Sequence, residues 1–148
     1  NLQKETINLN DLVQNLIDNL APIAELKDIE LKFKQEDKIE LFGDFILIQN
    51  AIRNLIDNAL KYSPYEGIIT VSIGTSPISF LEIHDQGPGF PPKDLDNLTE
   101  RFARGQNSNG IVGSGLGLTI AKDVANAHGA KLQLSNHEKG GACVTLLF

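Results

Sequence analysis

Between Asp44 and Tyr62 the chain sorts its residues onto two faces of one helix, and that division constrains everything packed around it. At about 100° per residue, with Asn54 as zero, Phe45, Ile48, Ile52, Leu55, Ile56 and Ala59 fall in an arc from roughly 100° to 200°. Such an arc has to lie on a core. Asn50, Asn54, Asn58 and Lys61 gather between roughly −40° and +40°, with Tyr62 on the border between the faces. A merely solvated face is better served by Glu and Lys, whose helix propensity exceeds that of Asn. Amide oxygens suit Mg²⁺ as hard ligands and a lysine suits phosphate oxygens, so the column is either a metal and phosphate site or a polar surface stripe. Asp44 is placed to cap this helix, and Ser63-Pro64 closes it.

The remaining segments predict an α+β domain. Leu9, Leu12, Val13, Leu16, Ile17 and Leu20 repeat at helical spacing over residues 9–26, with Asn8 or Asn10 as cap and Pro22 expected to kink or end the helix early. Ile29, Leu31 and Phe33 alternate with charged residues as a half-buried strand, and Ile39 and Leu41 are expected to form a short partner beyond the turn at Glu36-Asp37. Residues 68–74 and 79–84 alternate as antiparallel strands around Ser76-Pro77. Residues 86–115 are rich in Gly, Pro, Asn and Ser, which predicts a long mobile loop broken by a short helix near 94–101. A helix from about Leu116 to His128 stops at Gly129, and strands at 131–136 and 142–148 close the chain. The expectation is one domain, 1–148, with a mixed five-stranded sheet, a possible short extra strand, and three helices on one face.

Composition limits the function. The formal net charge of −6 argues against a nucleic-acid partner, which needs clustered Lys and Arg, but a small polyanion can still be held by backbone amides. The single cysteine, Cys143, excludes an internal disulfide and multi-cysteine zinc patterns, and its apolar neighbours predict a buried strand position. No apolar run reaches the ~18 residues of a membrane span, so the chain is expected to be soluble, cytoplasmic in type and without direct membrane contact. Its start at Asn1 is what an excised piece of a longer protein would show.

Two glycine clusters follow the asparagine helix. Asp85 ends the strand Phe80-Leu81-Glu82-Ile83-His84 and precedes Gly87 and Gly89. A carboxylate there, beside glycines that let a ring approach the backbone, either accepts a hydrogen bond from an exocyclic amine such as adenine's or caps a bend as an Asx-turn. Gly113-Ser114-Gly115-Leu116-Gly117 leads directly into a helix, so its amides form an anion cradle. It lacks the lysine of a P-loop, and no strand leads into it as a Rossmann motif requires.

In order and spacing these motifs resemble the ATP-binding domain of sensor histidine kinases. Asn54 to Tyr62 looks like the N box, Asp85 to Gly89 like the G1 box, Arg101-Phe102 like the F box, and Gly113 to Leu118 like the G2 box. The closing Gly140-Gly141 before an apolar strand is also similar, and the likeness spans nearly the whole chain. The resemblance implies a two-layer α/β sandwich shared with gyrase and heat-shock chaperone ATPases, and an ATP lid at about 97–112. It further implies that Asn58, assisted by Asn54, coordinates Mg²⁺, that Lys61 contacts phosphate, that Tyr62 lines the adenine beside Gly87 and Gly89, and that Asp85 reads the adenine amine. The amides of Ser114, Gly115, Leu116 and Gly117 would hold the triphosphate, and Arg104 would reach its outer phosphates. Asn54, Lys61 and Arg104 are the residues expected to act in catalysis.

Hydrolytic relatives and free-standing serine kinases of the wider group typically place Glu where this chain has Asn54. A carboxylate there can act as general base and an amide cannot. The resemblance therefore implies phosphoryl transfer to a histidine on a separate helical hairpin, and onward to a response regulator, over a serine kinase, an ATPase or a nucleotide sensor without chemistry. The parent would be a homodimer anchored in the bacterial inner membrane, and the isolated domain a monomer. His84, His128 and His137 are expected to be structural, not acceptors.

Overall fold

A computed structural model describes residues 1–91 and 116–148, the side chains of Leu116 and Gly117 excepted. The element order is β1 (Lys4–Asn8), α1 (Leu9–Glu25), β2 (Glu30–Gln35), β3 (Glu40–Asp44), α2 (Phe45–Tyr62), β4 (Ile68–Gly74), β5 (Phe80–His84), α3 (Leu116–Ala127), β6 (Lys131–Asn136) and β7 (Ala142–Leu147). Five strands form one mixed sheet in the order β2-β4-β5-β7-β6, in which β2 and β4 run parallel and every other neighbour is antiparallel.

Strand registers stack the apolar residues into rows across the sheet. Val71, Ile83, Val144 and Leu134 lie side by side, as do Ile73, Leu81, Leu146 and Leu132. Because side chains alternate along a strand, these rows share one face, and α1, α2 and α3 bury it. Ile52 and Ile56 of α2 and Leu118 of α3 are fully enclosed there. The predicted α+β sandwich is the observed fold, and the expected bounds of α2, β4, β6 and β7 hold to within a residue.

Two expectations give way, and an open choice of helix cap is settled. Pro22 does not end α1, which runs on to Glu25. The proline is exposed, and the carbonyl left without its amide partner belongs to Asp18, also exposed, while buried Ala24 anchors the final turn. The strand after Glu36-Asp37 does not pair with β2. It pairs with β1 in a separate two-stranded ribbon, Ile7 opposite Leu41. β1 itself escaped prediction because Ile7 is its only buried residue. Asn8, not Asn10, caps α1, accepting from the Asp11 amide at 3.0 Å. Asn10 instead braces the β2–β3 connection, donating to Gln35 Oε1 and the Asp37 carbonyl and accepting from the Ile39 amide.

The junction of β3 and α2 is fixed from two directions. Asp44 caps α2 by accepting from the Leu47 amide, and its second oxygen accepts from the Gln3 amide at 3.0 Å. The Asp44 amide donates to His128 Nε2 at 3.0 Å, while His128 Nδ1 lies 2.7 Å from the Val124 carbonyl and donates to it. The end of α3 is thereby tied to the start of α2. The Gln3 and Leu47 amides, with His128 nearby, hold the Asp44 carboxyl below its ordinary value of 3.8.

A carboxyl lowered in the folded state stabilises it fully above the unfolded value and loses that contribution as pH falls through the folded value. An asparagine in its place would keep an oxygen to accept from the Leu47 amide but cannot titrate, so Asp44→Asn should flatten the acid limb of stability. Urea midpoints measured from about pH 7 to about pH 2 test this, and an unchanged acid limb would remove Asp44 from the acid response.

Candidate functional site

Burial is uneven along the polar column of α2. Asn50 is exposed, Asn54 half-buried and Asn58 buried at 9% exposure, while Lys61 returns to solvent. A solvated stripe would leave all four exposed. Among the described residues Asn58 Nδ2 has no hydrogen-bond partner. An unmatched buried amide is costly, and a primary amide can turn to present either its oxygen or its nitrogen to the same space. The site therefore fits a hard cation or a phosphate oxygen at Asn58. Among the described residues no three His, Cys, Asp or Glu side chains gather to hold a metal.

The end of β5 forms the second wall. Alternation places Leu81, Ile83 and then Asp85 on the helix-covered face, so the carboxylate continues an apolar row. Asp85 is buried at 5% exposure. Its Oδ1 accepts from the amides of Gly87 at 2.9 Å and Ala142 at 3.0 Å, and its own amide donates to the Ala142 carbonyl. Asp85 does form the Asx-type bend. That bend uses one oxygen, and no described residue donates to Oδ2.

Glycines draw the two walls together. A Cβ on Gly87 would overlap the Tyr62 carbonyl, which brings the end of α2 against the stretch after β5. A Cβ on Gly141 would overlap the Asp85 carbonyl, and Gly141 also has φ +93°. Tyr62 is buried at 6% exposure between these elements, on the border where the helix geometry put it. Gln86 Oε1 accepts from the Ile68 amide at 2.7 Å and ties the same stretch to β4.

Sequence reasoning missed Lys27. From the turn after α1 its Nζ donates to the carbonyls of Leu60 at 2.9 Å and Ser63 at 2.7 Å, and lies 5.4 Å from the Tyr65 ring centroid. It satisfies carbonyls that a helix end leaves open and places a cation at the negative pole of α2. Nothing in the local pattern around Lys27 marks it. Asn136 was missed too. It bonds both backbone groups of Phe90.

The histidines all have structural partners. His128 is the tie described above, and His84 stacks on His137 with ring centroids 4.1 Å apart while bonding the Gly140 carbonyl. Cys143 is buried in β7 as expected, and burial, with Glu82 and Asp85 nearby, pushes its thiol up to about 11. Arg101, Phe102, Arg104, Gly113, Ser114 and Gly115 lie outside the described residues, as do the expected helix near 94–101 and lid at 97–112. Leu116 opens α3, and Gly117 follows it within the helix.

This constellation defines a class. Residues 43–148 match the family of histidine kinase-, DNA gyrase B-, and HSP90-like ATPases, and the chain belongs to that family. It is 38% identical over 125 residues to the sensor histidine kinase HprS of Escherichia coli, a match covering 84% of this chain and 27% of that protein. It is 34% identical over 138 residues to the sensor protein QseC of the same organism, covering 91% of this chain and 29% of that protein. The chain thus spans less than a third of the length of these relatives. The solved structure of a mycobacterial sensor histidine kinase, MprB, superposes with a TM-score of 0.85 at 28% identity, over 97% of this chain and 95% of that chain. The catalytic domain of histidine kinase ThkA shares the fold, with a TM-score of 0.82 at 18% identity over 97% of this chain and 94% of that chain.

Gly141→Ala should disrupt the contact that carries Asp85, because the added methyl meets backbone and the positive φ disfavours any side chain. The expected outcome is a drop in thermal midpoint together with loss of nucleotide binding. A variant with parental midpoint and parental ATP affinity would show that the turn yields without cost.

Proposed function

We propose that this chain is the catalytic and ATP-binding domain of a bacterial two-component sensor histidine kinase. It binds Mg²⁺–ATP and delivers the γ-phosphate to a histidine on a separate helical hairpin of the same parent, from which a response regulator receives it. The observation that carries the reading is the buried Asn58 amide on α2, whose Nδ2 has no partner among the described residues, set in one chain with a buried Asp85 whose Oδ2 has no described donor. Sensor histidine kinases among the relatives support the same assignment.

Bound Mg²⁺ supplies charge neutralisation on the phosphate oxygens, and ATP supplies the transferred group. Asp85 reads the adenine amine through Oδ2, with Tyr62, Gly87 and Gly89 lining the ring. Asn58, assisted by Asn54, offers amide oxygens to the metal, and Lys61 and Arg104 reach the phosphates. Backbone amides from Ser114 to Gly117 cradle the triphosphate where α3 begins. Asn54 cannot accept a proton, so water is not activated at that position and the nucleotide is held for an incoming imidazole. The domain extends over residues 1–148 on the cytoplasmic side of an inner-membrane, homodimeric parent, with residues 97–112 as the lid.

Asp85→Asn should weaken ATP binding by about 1.5–3 kcal/mol, the worth of a hydrogen bond to a charged group, and Asn58→Ala should weaken Mg²⁺–ATP more than metal-free ATP. Calorimetry with and without Mg²⁺ measures both. Parental affinity in the first variant, or an equal loss in both conditions for the second, would remove the corresponding role.

Incubation with γ-labelled ATP tests the reaction itself. The chain alone should bind nucleotide without labelling itself or releasing phosphate quickly, and a cognate helical hairpin should gain acid-labile label. Acid-labile label on His84, His128 or His137 would sink the separate-acceptor reading, and rapid phosphate release would make the chain an ATPase.

A further inference from the structure

The stretch from Asp85 to Phe90 leaves β5, crosses the start of β7 and arrives at β6. Its first end is held where Asp85 exchanges bonds with Ala142. A single side chain grips both backbone groups at its far end. Asn136, the last residue of edge strand β6, accepts from the Phe90 amide at 2.7 Å through Oδ1 and donates to the Phe90 carbonyl at 2.6 Å through Nδ2. The side-chain amide thus engages Phe90 as a neighbouring strand's peptides would in a ladder.

The register explains why an amide stands there. Ala142 pairs with Asn136 on one side and bonds Asp85 on the other, so all three lie in one row at the end of the sheet. Leu132 and Leu134 precede Asn136 on the same face by alternation, and the polar residue takes over where the apolar row ends. Gly89 lies against the clamp. A Cβ there would sit 2.8 Å from Asn136 Oδ1, and Gly89 has φ +77°. Phe90, 2% exposed, plugs into the core immediately beyond.

We propose that Asn136 is a positioning residue of the nucleotide site, holding the Gly87–Gly89 backbone in the course that lets a purine lie against it. This rests on the adenine-binding reading of Asp85. A Gly-Pro-Gly stretch has much backbone freedom to lose, and anchoring both ends removes that freedom before the ligand arrives. Releasing the Phe90 end returns it, so the cost falls on binding and on adenine selectivity.

Asn136→Ala and Asn136→Asp test this. In both, ATP affinity should fall about threefold to tenfold, the preference for ATP over GTP should narrow, and amide exchange from Gly87 to Phe90 should quicken without nucleotide. The Asn136→Asp carboxylate keeps an acceptor for the Phe90 amide but faces the Phe90 carbonyl with no donor. Its protonated form regains both bonds, and the facing carbonyl disfavours the charged form and raises the carboxyl above its usual range, so affinity relative to the parent should begin to recover as pH falls from about 7 toward about 5. A purely structural loss would lower the thermal midpoint and leave the nucleotide preference and the pH recovery unmoved. Parental ATP affinity and preference in both variants would overturn the role of Asn136 while leaving the Asp85 reading intact. Failure of the parental chain to bind ATP would overturn both.

Discussion

One helix has to be core and site wall at once, and the rest of the structure follows from that demand on α2. Its apolar arc buries Ile52, Leu55 and Ile56 against the sheet, and this contact fixes how the helix is rotated about its axis. The polar column has no rotational freedom left. Asn58 is carried under cover, its Nδ2 without a partner among the described residues, because turning the helix to expose it would lift the isoleucines out of the core. Burial of ordinary aliphatic side chains thereby sets the position of the Asn58 amide and holds it there as part of the fold.

Both ends of α2 are correspondingly braced by residues far from it in sequence. At its start Asp44 caps the first turn and receives the end of α3 through His128, and at its close Lys27 gathers the carbonyls of Leu60 and Ser63. The placement of charge is consistent with the helix dipole, an acid at the amino end and a cation at the carboxyl end. Lys61 and Tyr62 lie in the last turn, so the Lys27 clamp acts on the backbone that carries them.

Legibility in the sequence tracks the range of the interaction. Asp44, Ser63-Pro64 and Gly129 act within a few residues of themselves, and the helix ends they mark are where the sequence puts them. The α2 faces were readable because 3.6-residue periodicity is local. The partner of β3 was not, because a short strand does not say which neighbour it will hydrogen-bond, and the chain chose β1 across the intervening α1 and β2. Pro22 misled because its cost depends on what surrounds the stranded carbonyl, which is a tertiary fact. Asp85 stood out as a candidate because glycines follow it, whereas Lys27 and Asn136 are ordinary polar residues in ordinary surroundings until folding brings α2 and Phe90 to them.

That distance has a thermodynamic consequence. The Asp85 carboxylate bonds Ala142 across 57 residues, and Phe90 meets Asn136 across 46. Neither contact can exist in a partly formed chain, since β5, β6 and β7 must already be in register. A ligand that needs this geometry binds only the folded state, so its free energy of binding adds to that of folding. The carboxylate in the first of these contacts has a second oxygen to which no described residue donates. With Oδ1 taken by two backbone amides and no described residue donating to Oδ2, the fold satisfies part of this buried charge and leaves lone pairs that a further donor can use.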